Sequence, residues 1–297
     1  MQETNKNLHD KDPLEQIKIL SELNNQLTDE LKQVNKKLEE SESLKSHFVS
    51  NITNEIINPF TSIIGLSKSI LSVKKEDWKR VITMVAMIHS EAFNLDFQLR
   101  NIFVAAKIEA GEISAEISKV NVNQVVRNVI DQFSIESKKK NIQVELINNL
   151  PVGSQGAYFY SDAEKIKTIV CNLLSNAIKF SYNDGSVSVE ISEADESLVI
   201  RVKDHGTGIS EGNQKVIFDR FKRVDSGINS INRGHGLGLS VIKALLDILD
   251  GKIKISSEKE KGAEFIITIP SADSETIHLA MSGSEFLFDD MGGEEIF

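Results

Sequence analysis

From Ile17 onward, apolar residues follow a heptad, through Ile17, Leu20, Leu27, Leu31, Val34 and Leu38, and Phe48 and Ile52 continue the register. That heptad spacing predicts a long helix whose narrow apolar seam has to be covered by a partner, as in a parallel coiled coil. Asn24 occupies one seam position, where an amide commonly fixes register and oligomer state. Ser41 and Lys45 weaken the seam just before Phe48. They read either as a softened junction with the next module or as a tolerated defect.

Between Phe48 and Ile70, the residues Phe48, Ile52, Ile56, Pro59, Ile63, Leu66 and Ile70 keep helical spacing. Ile52 to Ile70 fall within about 40° of one line, a narrow core stripe. After a turn around Ser72 to Glu76, the series Trp78, Val81, Val85, Ile88, Ala92, Leu95, Leu99, Ile102 and Ala106 predicts a second helix reaching about Lys107. Two helices with one apolar stripe each cannot close a core alone. Dimerisation to a four-helix bundle is the expectation. Ile57, Ile64 and Leu71 make a further apolar line, open to two readings: extra dimer packing, or a docking surface for a receiver domain or partner helix.

The chain has 297 residues, enough for a core plus accessory segments, and 44 acidic against 34 basic residues give a net charge of −10. That balance argues against nucleic acid and against long-range attraction to anionic membranes. No apolar run approaches the roughly 20 residues that span a bilayer, and the first residues are too polar for a signal peptide. A cytoplasmic protein without a membrane span is expected. The single cysteine, Cys171, lies in the apolar run IVCNLL and reads as a small core residue.

After Gly111 the pattern changes. Residues 123 to 137 read as a helix, 141 to 147 (NIQVELI) as a strand, and 162 to 180 as a helix. SVSVEIS and LVIRVKD read as paired strands around an ADES turn, Gly236 to Leu249 as a helix, and KIKISSE with AEFIITI as a closing hairpin. Strands on one side and helices on the other make an α/β sandwich. The predicted class is therefore α+β: a coiled-coil helix over 1–43, a helical hairpin over 44–112, the sandwich over 113–270, and an acidic tail over 271–297. The tail's EFLF cluster is either part of a mobile segment or a docking peptide.

The candidate chemistry lies in the sandwich. NLLSNAIKF sets Asn172, Asn176 and Lys179 near one helix face, so two amide oxygens and an ammonium can address one ligand. Amide oxygens suit magnesium, and a lysine suits phosphate. DHGTG, residues 204 to 208, ends a strand with a carboxylate able to accept from an exocyclic amine, and its glycines allow close approach to an aromatic ring. GHGLGL, residues 234 to 239, opens a helix whose free amides make a phosphate site. The intervening stretch from Ser210 to Arg233 holds IFDRFKRVD and reads as a lid over the nucleotide.

These motifs, in this order, resemble the transmitter half of a two-component sensor histidine kinase over about residues 44 to 270. That half is a dimerisation and phosphotransfer hairpin followed by an ATP-binding domain of the gyrase, Hsp90, kinase and MutL (GHKL) type. NLLSNAIKF is similar to the asparagine box, DHGTG to the first glycine box, IFDRF to the phenylalanine box and GHGLGLS to the second glycine box. IFVAAKIEAGEI also resembles the run joining the hairpin to the ATP domain. The resemblance implies ATP and Mg2+ as ligands. Asn176, helped by Asn172, would hold magnesium; Lys179 and Arg223 would meet phosphates; Asp204 would read the adenine amine. Gly206, Gly208, Gly234, Gly236 and Gly238, with Phe221 and Leu237, would shape the loops. It further implies a homodimer, with a response-regulator receiver domain or another histidine kinase as partner.

One box departs from the pattern. The family's phosphoacceptor run is roughly Ser-His-Glu-Leu-Arg-Thr-Pro-Leu, whereas residues 53 to 60 read Thr-Asn-Glu-Ile-Ile-Asn-Pro-Phe. Asn54 stands at the histidine position and Ile57 at the arginine position. A carboxamide nitrogen is conjugated with its carbonyl and has no ring-nitrogen lone pair, so Asn54 cannot take the phosphoryl group. His47 shares nearly the same face but lies about 10.5 Å away along the axis, and reads as a solvated helix residue. Asn54 is either a laboratory substitution or, as the second change at Ile57 suggests, part of a naturally altered box. Glu55 and Asn58 keep the acidic-x-x-Thr/Asn pattern associated with dephosphorylating a receiver, which needs no histidine. The expectation is an Mg-ATP-binding regulator, scaffold or phosphatase that does not autophosphorylate. The alternatives are a kinase domain acting on a partner's histidine, a His-to-Asn variant of an active kinase, and a non-enzymatic coiled-coil module.

Overall fold

The computed structural model describes residues 13–74, 77–150, 158–218 and 236–272. Contacts divide the chain into two units, Met1–Asn54 and Glu55–Phe297. Helix α1, Pro13–Leu71, supplies residues to both. In the first unit the heptad side chains Ile17, Leu20, Leu27, Leu31 and Val34 are all exposed, 50% or more, as an unpartnered seam requires.

In the second unit, α1 continues through Pro59, which is buried, although its ring nitrogen cannot donate to the Glu55 carbonyl. Ile56, Ile63, Leu66 and Ile70 are half-buried, while Ile57, Ile64 and Leu71 stay exposed. Helix α2, Trp78–Ala110, runs a turn beyond the predicted end and stops at Gly111. That residue's left-handed backbone (φ 67°) lets its N–H reach the Ile108 carbonyl.

Sequence periodicity assigned α2 one apolar stripe. The structure gives it a second working face. Ser90, Phe93, Phe97 and Asn101 lie about 120° to 200° around the helix from Val81 and Leu99. Phe93 and Phe97 pack edge-on against Phe133, with ring centroids 5.2 and 5.9 Å apart. The Ser90 hydroxyl donates to Glu136 (3.2 Å) and accepts from the Lys139 ammonium. Ser90 and Asn101 are buried polar residues on a helix that is otherwise largely half-exposed.

The sandwich has a mixed five-stranded sheet. Its strands are β2 (Gln143–Asn149), β4 (Ser186–Ala194), β5 (Ser197–Asp204), β6 (Lys252–Ser257) and β7 (Ala263–Pro270), in the order β2-β4-β5-β7-β6. β2 and β4 run parallel, pairing Val144 with Val187, and the other neighbours are antiparallel. Period-two burial puts Val187, Val189 and Ile191 of β4 and Phe265, Ile267 and Ile269 of β7 into the core. The helices α3 (Val122–Gln132), α5 (Ala163–Phe180) and α7 (Gly238–Ile248) cover that face. They contribute Val122, Val126, Val129, Ile166, Ile169, Leu173, Ile242 and Leu245.

Three readings of this region are corrected. The predicted helix over 123–137 is two helices, α3 and the short α4 (Ser134–Lys139), separated at Phe133, whose ring is buried. The strand predicted over 141–147 is shifted to 143–149. Two short strands were not foreseen, β1 (Ser118–Asn121) and β3 (Tyr158–Ser161), which pair antiparallel as a separate ribbon. The remaining short helix, α6 (Glu211–Gln214), begins the lid stretch. The rest of that stretch and the EFLF cluster lie outside the described residues.

Cys171 is buried on α5, and burial pushes its thiol up to about 12. The folded thiol therefore keeps its proton at pH values where the unfolded one loses it. Stability from this group should fall as pH rises from the ordinary thiol value towards about 12. Alkylation at pH 8 is expected to be at least ~100-fold slower in the native protein than in urea, because the thiolate is the reacting species. Equal rates would contradict the burial.

Candidate nucleotide site

Helix α5 carries the amide-rich face. Asp162 caps its start, accepting from the Lys165 N–H at 3.0 Å, and also accepts from the Lys165 ammonium. The backbone N–H of Lys165 goes to Oδ1, and Oδ2, which takes the ammonium, also accepts the Glu116 N–H at 2.8 Å, tying the segment after α2 to the helix. Burial alone would raise the Asp162 carboxyl, but the Lys165 ammonium and the N–H groups of Glu116 and Lys165 bring it below the usual carboxylate range. At the other end, the Lys140 ammonium donates to the carbonyls of Ile178 (3.1 Å), Ser181 (3.2 Å) and Lys179. A cation there complements the helix dipole, while burial lowers the Lys140 pKa.

Of the predicted amide-and-lysine set on α5, Asn172 is buried and Asn176 and Lys179 are half-buried. Both Asn172 amide protons are engaged: Nδ2 donates to Asn101 Oδ1 at 2.7 Å and to the Thr168 carbonyl at 2.9 Å. Its Oδ1 lies beside Gly238, 2.7 Å from where a Cβ on that glycine would stand. The Lys179 ammonium sits 5.0 Å from the centroid of the Phe180 ring.

Asp204 ends β5, buried, with Oδ1 accepting the N–H groups of Gly206 (3.0 Å) and Ala263 (3.3 Å). Both bonds fall on Oδ1, so among the described residues Oδ2 is left to meet an incoming donor. Burial pushes the Asp204 carboxyl up, and the N–H groups of Ala263 and Gly206 act against that rise. The loop that follows is held from two sides. Thr207 donates to the Phe180 carbonyl (3.1 Å), and Ser181 bridges to Gly206. Glu260 donates to the Thr207 carbonyl (2.7 Å), and Ile209 donates to Ser257 Oγ (2.8 Å), which donates in turn to the Gly262 carbonyl (2.8 Å). A Cβ on Gly206 would stand 2.0 Å from the Phe180 oxygen, and one on Gly208, at φ +60°, 2.0 Å from the Glu258 oxygen. Sequence reasoning set these glycines against an aromatic ligand. Their closest demand is from their own chain, which must pass backbone against backbone to form the loop.

Gly236 takes φ 69° and Leu237 is buried, so the chain turns sharply into α7. Leu237 has no side-chain oxygen to cap that helix, which leaves its first N–H groups for an anion. A magnesium-bound nucleotide fits this donor set. Asn172 and Asn176 offer amide oxygens for a hard cation, Lys179 and the α7 start offer an ammonium and N–H donors of the kind a phosphate takes, and Asp204 offers an acceptor for an exocyclic amine. Among the described residues, no three His, Cys, Asp or Glu side chains are grouped to hold a metal by themselves.

Residues 161–273 match the family model of the histidine kinase-, DNA gyrase B- and HSP90-like ATPase. The chain is 28% identical over 255 residues to hybrid signal transduction histidine kinase D of Dictyostelium discoideum, covering 84% of this chain and 16% of that protein. It is 29% identical over 232 residues to the circadian input-output histidine kinase CikA of Synechocystis sp., covering 76% and 30%. Residues 161–273 thus carry an ATPase domain of the histidine kinase-like type, and the relatives matched along most of this chain are signalling histidine kinases. The chain spans less than a third of the length of these two relatives. In fold it is similar to full-length ShkA, solved in complex with AMPPNP, with a TM-score of 0.53 and 22% identity over 78% of this chain and 46% of that one.

Residues 53–60, set against the phosphoacceptor run in the sequence, are helical throughout, within α1. Asn58 and Phe60 are exposed on it; the side chains of Asn54 and Glu55 lie outside the described residues. Phe221, Arg223 and Gly234 also lie outside them. Among the described residues, no helix is long and apolar enough to cross a membrane. Sequence reasoning missed Asn101, Lys140, Ser257 and Gly262. Gly262 is left-handed (φ +84°), and a Cβ there would stand 2.1 Å from the Asp204 carbonyl. The hairpin pattern around KGAEF carried a turn signal for Gly262, but Asn101 and Lys140 act across distant segments and left no local signal.

Proposed function

We propose that this chain binds Mg-ATP in its ATPase domain, does not phosphorylate itself, and acts on a response-regulator receiver as a regulator or phosphatase. The observation that carries this reading is the amide face of α5, the buried Asp204 carboxylate and the uncapped start of α7, in a chain with an amide at position 54. When bound, magnesium would neutralise phosphate charge. Asn172 and Asn176 would hold it, Lys179 and the α7 amides would orient the phosphates, and Asp204 would select the base.

The receiver-directed step uses other residues. Asn58, exposed on α1, would align a water toward an aspartyl phosphate, with Glu55 three residues before it in the sequence. The exposed Ile57, Phe60 and Ile64, and the exposed seam of Leu20, Leu27 and Leu31, support a parallel homodimer through the helical region.

Incubation with γ-labelled ATP and Mg2+ tests the reading: no acid-labile phosphate is expected on this chain. Label lost on mutating another of its histidines would overturn it. A phosphorylated receiver should lose phosphate faster in the presence of the chain, and Asn58→Ala should remove that acceleration. Labelling of an added kinase that has an acceptor histidine and a dead nucleotide site would instead favour action on a partner's histidine.

A further inference from the structure

We propose that Asn101, on the second hairpin helix, is a positioning residue for the metal–nucleotide site, so that docking of α2 and binding of Mg-nucleotide strengthen each other. The inference rests on the nucleotide-binding reading above and adds a residue from outside the ATPase motifs.

Asn172 is buried, so its amide plane is set by its hydrogen bonds. The Thr168 carbonyl can only accept, which fixes the nitrogen on its side, at 2.9 Å. Asn101 Oδ1 takes the second N–H at 2.7 Å, and Asn101 is itself buried. With both protons held, the oxygen has one place to go, and it lies beside Gly238, the first residue of α7. Glycine at 238 keeps that oxygen uncovered, since a Cβ there would stand 2.7 Å from it.

Without Asn101, one Asn172 proton is buried without its acceptor, and the side chain gains rotamers that turn the oxygen away from the α7 start. Asn101 thus does for this amide what an outer-shell partner does for a metal-ligating side chain. The face that brings Asn101 into place also carries Phe93, Phe97 and Ser90, all bonded or packed against α3–α4 residues. Whatever shifts α2 on that face therefore moves Asn101 relative to Asn172. By linkage, a ligand that needs the oriented Asn172 oxygen favours the docked helix to the same degree.

The test measures affinity for a non-hydrolysable ATP analogue by calorimetry on the full chain, with Mg2+ and with EDTA. Asn101→Leu keeps the size and removes the acceptor; Asn101→Asp keeps an acceptor oxygen. Asn101→Leu is expected to weaken binding ~10-fold with Mg2+ and leave it unchanged in EDTA, with Asn101→Asp retaining most of the metal-dependent affinity. A general loosening of the fold would lower both affinities together, and that result, or no change in either, overturns the proposal. In the unaltered chain, Mg-nucleotide should slow amide exchange across residues 90–101. Unchanged exchange there also overturns it, even should the leucine variant fail to fold. A wild-type chain that binds no Mg-nucleotide overturns the functional reading itself, whereas wild-type binding with a silent Asn101→Leu overturns this inference alone.

Discussion

Asp204→Asn is expected to abolish nucleotide binding while leaving the nucleotide-free protein at least as stable as the wild type. The two halves follow from the same carboxylate. Its Oδ1 accepts two backbone N–H groups, from Gly206 and Ala263, and an amide oxygen can accept both. The amide nitrogen then takes the place of Oδ2 and presents a donor where the base presents its own. Loss of a charge-assisted hydrogen bond, together with a buried donor left unpaired, should weaken binding by roughly 100-fold or more.

Stability moves the other way. Burial raises the Asp204 pKa, so the folded protein holds this proton more tightly than the unfolded chain does. Stability therefore declines as pH rises from the ordinary carboxylate value through the raised one, and the neutral amide is free of that decline. Calorimetric titration and thermal melts at pH 7 check both halves. A variant that loses binding and also melts well below the wild type would make Asp204 a structural residue.

The loop geometry was legible in the sequence wherever a turn needed particular residues at fixed spacing. The Asp204 carboxylate with Gly206 and Gly208, and the glycine pair at 236 and 238, mark sites that local backbone geometry demands. Long periodic stretches were legible for the same reason: α1 from Ile56 to Ile70, and α5, each repeat their burial pattern over several turns. The strands β1 and β3 were not, because SKVN and YFYS are too short to show alternation, and their partners lie far apart in sequence. The break at Phe133 was hidden because helical polarity continues through Ser134 to Lys139 on both sides of it.

The docking face of α2 failed to show for a different reason. Its bundle stripe is the stronger periodic signal, and Phe93, Phe97 and Asn101 on the opposite side read as scatter. Only contact with Phe133 and Asn172 gives them a common purpose, and the Asn101–Asn172 bond joins residues 71 apart in the chain. A sequence pattern reports which residues share a face. It does not report which of two faces will be covered by a domain that lies further along the same chain.

Asn54→His is expected to take acid-labile phosphorylation from none to a measurable rate with γ-labelled ATP. An imidazole supplies the in-plane lone pair that a carboxamide lacks, and Glu55 follows it in sequence as the family pattern requires. The backbone needs no change, since residue 54 is already helical within α1. Ile57 at the usual arginine position argues for a slow reaction. Arginine would offer a fork of donors to phosphate, and isoleucine offers none, so Ile57→Arg added to Asn54→His should raise the rate further. The paired variant Asn54→His with Asp204→Asn should show no label, which ties the phosphate to this chain's own nucleotide site. Receiver dephosphorylation should persist in Asn54→His, because it depends on the Asn58 amide and not on position 54. Label on Asn54→His with unchanged receiver chemistry would mean that one ring separates this protein from a working kinase. Absence of label despite tight Mg-nucleotide binding would place the loss in how the ATPase domain reaches α1, and would give the hold that α2 keeps on that domain through Phe93, Phe97 and Asn101 a part in the loss.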